Sequence, residues 1–314
     1  MKVITSPEQM AQVRCAVTIG MFDGFHLGHR CLIESLKEEA AARHLATAVV
    51  TFRDHPQNVL HHGHLKWICT LSDRIDDIAQ QGVDYLILMD FTPQLASLDS
   101  GQFIAMLHEQ YGVDVLVVGF NHHFGHNRGD GFECYLRQGR EAGVAVMLAK
   151  EYEGEYAPVS SSIIRRLISD GDVKAAMHRL NHPFCIGGVV VHGKKNGRRL
   201  GYPTANVGEY SSQIVLPKNG VYASYASIDD GPLLPSMTNI GTRPTVLDEG
   251  SLSVEVNIFD FDEDIYGRRF KVYLLSRLRD ERHFASLNDL KQQLAADREE
   301  ARRQIQAMRK ITKD

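Results

Sequence analysis

The sequence has few cysteines and no long apolar run, and these absences exclude several classes of protein. Its five cysteines are scattered through 314 residues and form no CxxC pair, which argues against a disulfide framework and a thiolate zinc site. The longest apolar runs, such as YLILM, are far too short to span a bilayer, and the amino terminus lacks the apolar core of a signal peptide. We therefore expect a cytoplasmic protein with no membrane partner.

The sequence also lacks a large excess of basic or of acidic residues. Thirty-five Lys and Arg residues stand against 39 Asp and Glu residues, which leaves a net charge of −4. This balance gives no broad electrostatic footprint for a nucleic-acid backbone, so we expect no nucleic-acid partner and only local phosphate chemistry. With 43% hydrophobic and 24% charged residues, the composition is that of an ordinary globular protein. The composition is compatible with either a monomer or a homo-oligomer.

The chain is longer than most single domains, and its first half follows one repeating pattern. A short β-branched run, a turn and a helical stretch recur, which is typical of α/β units around a parallel sheet covered on both faces. The predicted strands are CAVTIG, ATAVVTF, DYLILMD, VDVLVVGF and VAVMLAK, and helical spacing covers 32–44, 71–81 and 101–111. Two further helical segments, IIRRLIS and DVKAAMHRL, precede NHPF, whose proline ends the pattern. We place a domain boundary there, with domains over 1–183 and 184–314.

The second half has short alternating runs broken by Gly, Pro and Asn. These runs are FCIGGVVVHG, GVYASYASI, SLSVEVNIF and RRFKVYLLS. Their spacing favours an antiparallel sandwich or a small barrel. From Ser286 to Arg309, a serine placed as a helix cap and apolar residues recurring at three and four predict one long surface helix.

The stretch IGMFDGFHLGHR follows the first buried strand, where open α/β sheets usually bind ligands. Gly20 and Gly28 permit a close approach of the backbone, and a helix beginning near Gly28 turns its free N–H groups toward an incoming anion. His26 and His29 would flank that anion. Two alternatives are a histidine that merely caps the helix and half of a zinc site. The nearest second cluster for zinc is HHGH at 61–64, which we interpret as a polar loop.

A second candidate site begins with GGVVVHGKKNGRRLGYPTANV, a strand that turns into a basic loop. It is not a Walker loop, because Pro203 prevents the helix that must follow. Gly193 and Gly201 allow the loop to cover a phosphate, and Arg198 adds positive charge. The alternative is that this sequence forms a plain solvent-exposed turn. In SLSVEVNIF, Glu255 falls on the polar face of an alternating strand. It is therefore outside the core, and a plain surface carboxylate is the alternative.

The motifs of the first half resemble those of a known enzyme family. GMFDGFHLGHR resembles the HxGH signature of nucleotidyltransferases, while TFRDHP, VVGFNHHFG and VSSSIIR resemble further motifs of the adenylyltransferase module of bacterial FAD synthetases. Asp54 stands where the family has proline, Ser162 where it has threonine, and Ile163 where a polar residue is common. The resemblance implies a Rossmann-like domain in which FMN phosphate attacks the α-phosphorus of ATP and expels pyrophosphate, without a covalent intermediate.

The same resemblance implies roles for individual residues of the first half. His26 and His29 would stabilise charge on the triphosphate, and Arg165 would hold the leaving pyrophosphate together with three serines. Asn121 would contact nucleotide or flavin phosphate, and the other residues assigned to ATP or its phosphates are Gly20, Asp23, Gly28, Ser160, Ser161 and Ser162.

The second half resembles riboflavin kinase, a small antiparallel β-barrel with a trailing helix. The matching motifs, in order, are GKKNGRRLGYPTANV, GVYAS, TNIGTRPT and VEVNIFDFDEDIYG. The resemblance implies that Thr204 and Asn206 bind Mg²⁺ and ATP phosphates, and that Glu255 activates the ribityl hydroxyl. SRLRDERHF resembles a segment near the flavin ring, which places Arg279 there. The loop residues implied to bind ATP are Gly193, Arg198 and Gly201.

Together the two halves resemble the bifunctional riboflavin kinase and FAD synthetase of bacteria over nearly the whole chain. The resemblance implies that the second domain makes FMN from riboflavin and ATP, and that the first makes FAD from FMN and a second ATP. Both steps would need Mg²⁺. Two alternatives remain, an HxGH adenylyltransferase with a different acceptor and a catalytically inactive flavin-sensing protein.

Overall fold

The computed structural model of the protein describes residues 1–61, 65–120, 124–125, 131–193, 201–244 and 249–311. Internal contacts divide the chain into two compact units, Met1–Ser161 and Ser162–Asp314. This division assigns two short helices to the second unit, whereas the predicted domain boundary after residue 183 assigns them to the first. The boundary of the functional domains stays a prediction.

The first unit is built on a six-stranded parallel sheet in the order β1-β4-β3-β2-β5-β6. Its strands are β1 (Lys2–Ile4), β2 (Cys15–Ile19), β3 (Ala46–Phe52), β4 (Tyr85–Met89), β5 (Val113–Val118) and β6 (Ala145–Leu148). Its helices are α1 (Leu27–Ala42), α2 (Pro56–His61), α3 (Leu71–Gln80), α4 (Pro93–Ala96), α5 (Ser100–Tyr111) and α6 (Phe132–Ala142), with a 3-10 turn over Pro7–Met10.

Both faces of this sheet are covered. Successive residues of a strand point to opposite faces, and they fall in two different apolar clusters: Val17 and Val50 lie in one, Ala16 and Val49 in the other. This explains why the central strands are continuously apolar, and it confirms the predicted parallel sheet.

The helix that follows β5 has no counterpart in the sequence prediction. α6 carries a glycine in its interior, which normally weakens a helix. A Cβ on Gly139 would come within 2.4 Å of a methyl group of Val146 and 2.7 Å of the carbonyl oxygen of Val144. The glycine is therefore there because the helix packs directly against the chain that forms β6.

The second unit is a closed antiparallel barrel in the order β10-β11-β8-β7-β12-β9, so the barrel is the correct one of the two predicted alternatives. Its strands are β7 (Phe184–Val191), β8 (Ala205–Gly208), β9 (Gly220–Ile228), β10 (Leu234–Pro244), β11 (Glu249–Ile258) and β12 (Arg269–Arg279). Its helices are α7 (Ser161–Ser169), whose first residue belongs to the first unit, α8 (Val173–Leu180) and the long α9 (Leu287–Ile311).

The helix α9 covers one face of the barrel. Ser286 caps it as predicted, because its Oγ accepts a hydrogen bond from the backbone N–H of Asp289 at 3.1 Å. Ala301 and Ile305 are buried against Met237 in one apolar cluster, so the predicted surface helix is only half exposed. Within the described parts of the chain, none of the helices has the length and apolar character that crossing a bilayer requires.

Candidate active sites

The turn between β2 and α1 folds back onto the end of the sheet. The N–H of Gly20 donates to the carbonyl of Val50 at 3.1 Å. Phe22 and Phe25 adopt positive φ angles of 52° and 35°, which costs backbone energy in a residue other than glycine. Both rings are buried in the apolar cluster beneath the turn. Their burial stabilises an otherwise unfavourable backbone and so shapes the turn that carries the histidines.

The carboxylate of Asp23 points into the protein. It is 1% exposed, and its Oδ1 accepts hydrogen bonds from the N–H groups of Ile68 at 2.8 Å and Cys69 at 3.3 Å. The carbonyl of Asp23 accepts a bond from Ser161 Oγ at 2.9 Å. These contacts give Asp23 a structural role in holding the turn, while its implied contact with phosphate stays a prediction.

The two histidines form a stacked pair at the amino terminus of α1. Their ring centroids are 3.6 Å apart at 13°, and His26 caps the helix because its Nδ1 accepts a bond from the N–H of His29 at 3.3 Å. Burial lowers the pKa of His26 to about 4. At neutral pH its proton is therefore on Nε2, so His26 can donate one hydrogen bond but carries no charge.

His26 therefore caps the helix, as one of the two alternatives predicted. The cap uses only Nδ1, so Nε2 can still donate a hydrogen bond to a ligand. Glycine at position 28 suits this geometry, since a Cβ there would lie 3.3 Å from the His26 ring. Ser160 is half-buried, Ser162 is exposed, and Arg165 lies half-buried on α7. Their roles stay predictions, and Asn121 and 62–64 of the HHGH segment lie outside the described residues.

A buried arginine beneath the turn has no counterpart in the sequence prediction. Arg74 on α3 is 1% exposed, and its guanidinium donates to the carbonyls of Met21 at 2.9 Å and Arg53 at 3.4 Å. It also lies 4.6 Å from the ring of Trp67. Arg74 therefore ties the turn after β2 to the segment after β3, which carries the TFRDHP motif.

In the second unit, the polar motif residues meet on one face of the barrel. Glu255 on β11 is paired with Asn206 on β8 and with Asn239 on β10. Directly paired residues of neighbouring strands present their side chains to the same face. Thr204 immediately precedes β8. The structure thus brings together three residues that the riboflavin kinase motifs single out.

This face of the barrel borders a cavity of about 600 Å³. Its wall contains predicted site residues together with residues of the loop before α9 and of α9 itself. Among them are Thr204, Glu255, Asn257, Arg279 and Glu281 as polar groups and Met237, Phe284, Leu290 and Leu294 as apolar groups. Thr204 also lines a much smaller recess together with Asp262, Glu263 and Asp264. The large cavity therefore combines an apolar wall with a carboxylate and a hydroxyl.

The charge of Arg279 is already paired within the protein. Its Nε donates to Asp297 at 2.9 and 3.0 Å, and its Nη2 donates to the same carboxylate at 2.6 Å. Asp297 is 4% exposed and also accepts a bond from Gln293 at 2.8 Å. Arg279 is therefore a fixed part of the cavity wall rather than a free cation, and its partner Asp297 was not predicted.

The predicted metal ligands suit magnesium. Thr204 and Asn206 carry hydroxyl and amide oxygens, which are hard donors of the kind Mg²⁺ prefers. Asn206 is 5% exposed, and a Cβ on Gly193 would approach its amide group to within 2.1 Å, so this glycine lets the strand end close over Asn206. Gly201 adopts a positive φ of 81°. Arg198 lies outside the described residues.

The structure offers no alternative metal centre in the described ranges: no group of three or more His, Cys, Asp or Glu side chains is placed there to hold an ion. Two oxygen ligands are few for a dedicated protein site. Magnesium usually keeps waters and substrate phosphates in its shell, and the observed donor set fits that arrangement.

Comparison with known proteins decides the family. A family model described as FAD synthetase matches residues 8–163, and one described as riboflavin kinase matches residues 180–305. The bifunctional riboflavin kinase/FMN adenylyltransferase of Bacillus subtilis is 35% identical over 98% of both chains, and that of Escherichia coli K12 is 36% identical over 94% of both. The chain belongs to this bifunctional family. The predicted family, fold class and enzyme type are thereby confirmed.

A solved structure extends the likeness to the fold of the whole chain. A Streptococcus pneumoniae protein described as a macrolide-efflux protein is 33% identical, with a TM-score of 0.86 over 96% of this chain and 98% of its own. That description belongs to the neighbour. What this member of the bifunctional family shares with it is the fold over nearly its full length.

Proposed function

We propose that the protein phosphorylates riboflavin to FMN and then adenylylates FMN to FAD, using one ATP in each step. Family membership over nearly the full length supports both activities. The observation that carries the proposal is that several motif residues lie together at one place in each unit. The histidine pair stands at the carboxyl end of β2, and Thr204, Asn206 and Glu255 stand on one face of the barrel.

In the kinase step, riboflavin occupies the cavity of the second unit, where apolar side chains suit its flat ring. Its terminal ribityl hydroxyl lies against Glu255, which accepts the proton as the hydroxyl oxygen bonds to the γ-phosphorus of ATP and ADP departs. Thr204 and Asn206 would hold Mg²⁺, which would neutralise charge on the phosphates when bound. Arg279 and Asp297 keep the wall of the cavity fixed.

In the adenylyl-transfer step, the chain positions two phosphates and stabilises negative charge. A phosphate oxygen of FMN bonds to the α-phosphorus of ATP, and the bond to pyrophosphate breaks. Nε2–H of His26, the ring of His29 and the free N–H groups at the start of α1 face the triphosphate. Because His26 is neutral, it stabilises this negative charge by donating a hydrogen bond and not by a positive charge of its own.

The reducing conditions of the cytoplasm suit the protein. All five cysteines are free thiols, and Cys15 is buried. Burial raises the pKa of Cys15 to about 12, which keeps it protonated and unreactive. These features support a cytoplasmic location.

The direct test is a time course of flavin species formed by purified protein from riboflavin, ATP and Mg²⁺, separated by chromatography. We expect FMN to appear first and FAD to follow at its expense, with both steps stopping when EDTA removes the metal. Accumulation of FMN without FAD would favour an adenylyltransferase with another acceptor. A folded sample that forms neither product would contradict the proposal and favour a sensing role.

A further inference from the structure

The ladder between β8 and β11 ends just before the predicted metal ligand Thr204. Its pairs are Val207 with Val254, Asn206 with Glu255, and Ala205 with Val256. Continued by one residue, this register would place Thr204 opposite Asn257. The preceding residue is a proline, which has no N–H and so cannot extend the ladder as a donor. Backbone pairing between β8 and β11 therefore does not include Thr204.

The side chain of Asn257 supplies a bond at the point where the ladder stops. Its Nδ2 donates to the carbonyl of Pro203 at 2.7 Å. Asn257 is 5% exposed and lies two residues after Glu255, so both side chains share one face of β11 and line the same cavity. One strand thus carries the implied base and the group that holds the segment before β8.

We propose that Asn257 is a positioning residue of the kinase site, which fixes Thr204 relative to Glu255 by holding the carbonyl of Pro203. The inference rests on the proposed riboflavin kinase activity and adds to it a residue that works through Thr204 rather than on substrate. Orienting the group that binds a metal ion is a common task of such residues in metal sites.

Stability alone does not account for an asparagine at this position. The Oδ1 atom of Asn257 is buried and has no hydrogen-bond partner among the residues that the structure describes. A buried acceptor without a partner is destabilising. Leucine has a similar shape and would remove this unpaired oxygen, but it would also remove the donor to Pro203. The donor is therefore the feature that the asparagine provides.

The test uses Asn257→Leu and Asn257→His in the full chain. The Nδ1 of histidine is as many bonds from the backbone as the Nδ2 of asparagine, so histidine can keep the donor. We expect Asn257→Leu to lower kcat for riboflavin phosphorylation by about 10- to 100-fold, the range for groups that orient metal ligands. The Mg²⁺ concentration for half-maximal rate should rise, and Asn257→His should retain most of the activity.

Two readouts separate positioning from a general loss of structure. Riboflavin binding without ATP, followed by quenching of flavin fluorescence, should weaken far less than kcat falls in Asn257→Leu, because Asn257 is one of many side chains that line the cavity. Conversion of supplied FMN to FAD by the same polypeptide should be unchanged. Loss of either together with the kinase activity would overturn the proposal.

Ser253→Ala is the matched control. Ser253 lies on the same strand and face, is 9% exposed, and donates through Oγ to the carbonyl of Gly241 at 3.2 Å. We expect the Ser253→Ala variant to phosphorylate riboflavin at the wild-type rate. The inference is overturned if Ser253→Ala is as slow as Asn257→Leu, if Asn257→Leu is as fast as wild type, or if Asn257→His is as slow as leucine. A wild-type protein that makes no FMN would instead refute the proposed function.

Discussion

At the scale of single residues, the motif side chains shape the protein as well as serving the proposed reactions. His26 caps α1, Asp23 holds the segment before α3, and Arg279 is paired with Asp297. Each contact orients a side chain or restricts the charge that it can offer. The histidine pair is the clearest case, because the environment that stacks the rings also keeps His26 neutral.

The low pKa of His26 predicts a pH-dependent stability of the first unit. Unfolded His26 titrates near its ordinary value of 6.5, whereas the folded residue titrates at about 4. Between these values the unfolded chain binds a proton that the folded chain does not, so stability falls as the pH falls. Relative to His26→Asn, which caps without titrating, the wild type should lose about 2 kcal/mol between pH 7.5 and 5.

The measurement is chemical denaturation of both proteins at several pH values. Trp67 is the only tryptophan in the sequence and is 6% exposed in the first unit, so its fluorescence reports on that unit. A difference between the two proteins that does not change with pH would contradict the assignment of a buried neutral imidazole.

Glu255→Gln should abolish most FMN formation and leave the conversion of supplied FMN to FAD intact. Glutamine preserves size and hydrogen bonding but cannot accept the proton of the ribityl hydroxyl, and general-base catalysis typically contributes about 10²- to 10⁴-fold. Initial rates of both half-reactions, measured separately, test this. Equal loss of both activities in a folded variant would show that the two sites are not independent.

The sequence reveals the residues that carry motifs but not the partners that fix them. His26, Thr204, Asn206 and Glu255 could be picked out because motifs and strand alternation mark them. Arg74 looks like an ordinary surface arginine of a polar helix, because its partner carbonyls lie far away in the chain. Only the folded chain places it in the interior.

At the scale of secondary-structure elements, a buried ion pair helps to anchor α9 to the barrel. Arg279 ends β12 and Asp297 lies within α9, with exposed fractions of 13% and 4%. Because α9 contributes Leu290 and Leu294 to the cavity wall, this pair also sets the shape of the proposed flavin site.

Asp297→Asn should destabilise the second unit by about 3 kcal/mol, because it leaves the buried guanidinium of Arg279 without its counter-charge. The control is Glu300→Gln on the same helix. Glu300 pairs with Arg303 at 2.7 Å, and the two side chains are 34% and 77% exposed, so its loss should cost less than about 1 kcal/mol. Calorimetric melting of the two variants would contradict this account if their transitions shifted equally.

Element boundaries were predictable where the pattern was regular and not where tertiary packing overrides it. The capped start of α9 and the central strands followed from spacing alone. β10 was missed because TNIGTRP contains glycine and proline, yet it pairs with β9 and β11 along most of its length. Barrel closure thus supports a strand that its local sequence does not favour.

At the scale of the whole molecule, two proposed sites lie in units with unrelated folds. FMN is the product of one and the substrate of the other, so a chain defective in one site should be complemented by a chain defective in the other. Glu255→Gln and His29→Ala should each fail to convert riboflavin to FAD, while an equimolar mixture should regain the conversion. Chromatography of the mixture checks this, and continued failure while each variant keeps its remaining activity would contradict the free release of FMN.

The most direct test of the two proposed transfers follows the phosphorus atoms of ATP into the products. The protein is incubated with riboflavin, Mg²⁺ and ATP labelled either at the γ- or at the α-phosphorus, and the flavins are separated. We predict γ-label in both FMN and FAD, and α-label in FAD alone. Label from the α-phosphorus in FMN, or FAD without γ-label, would contradict the account.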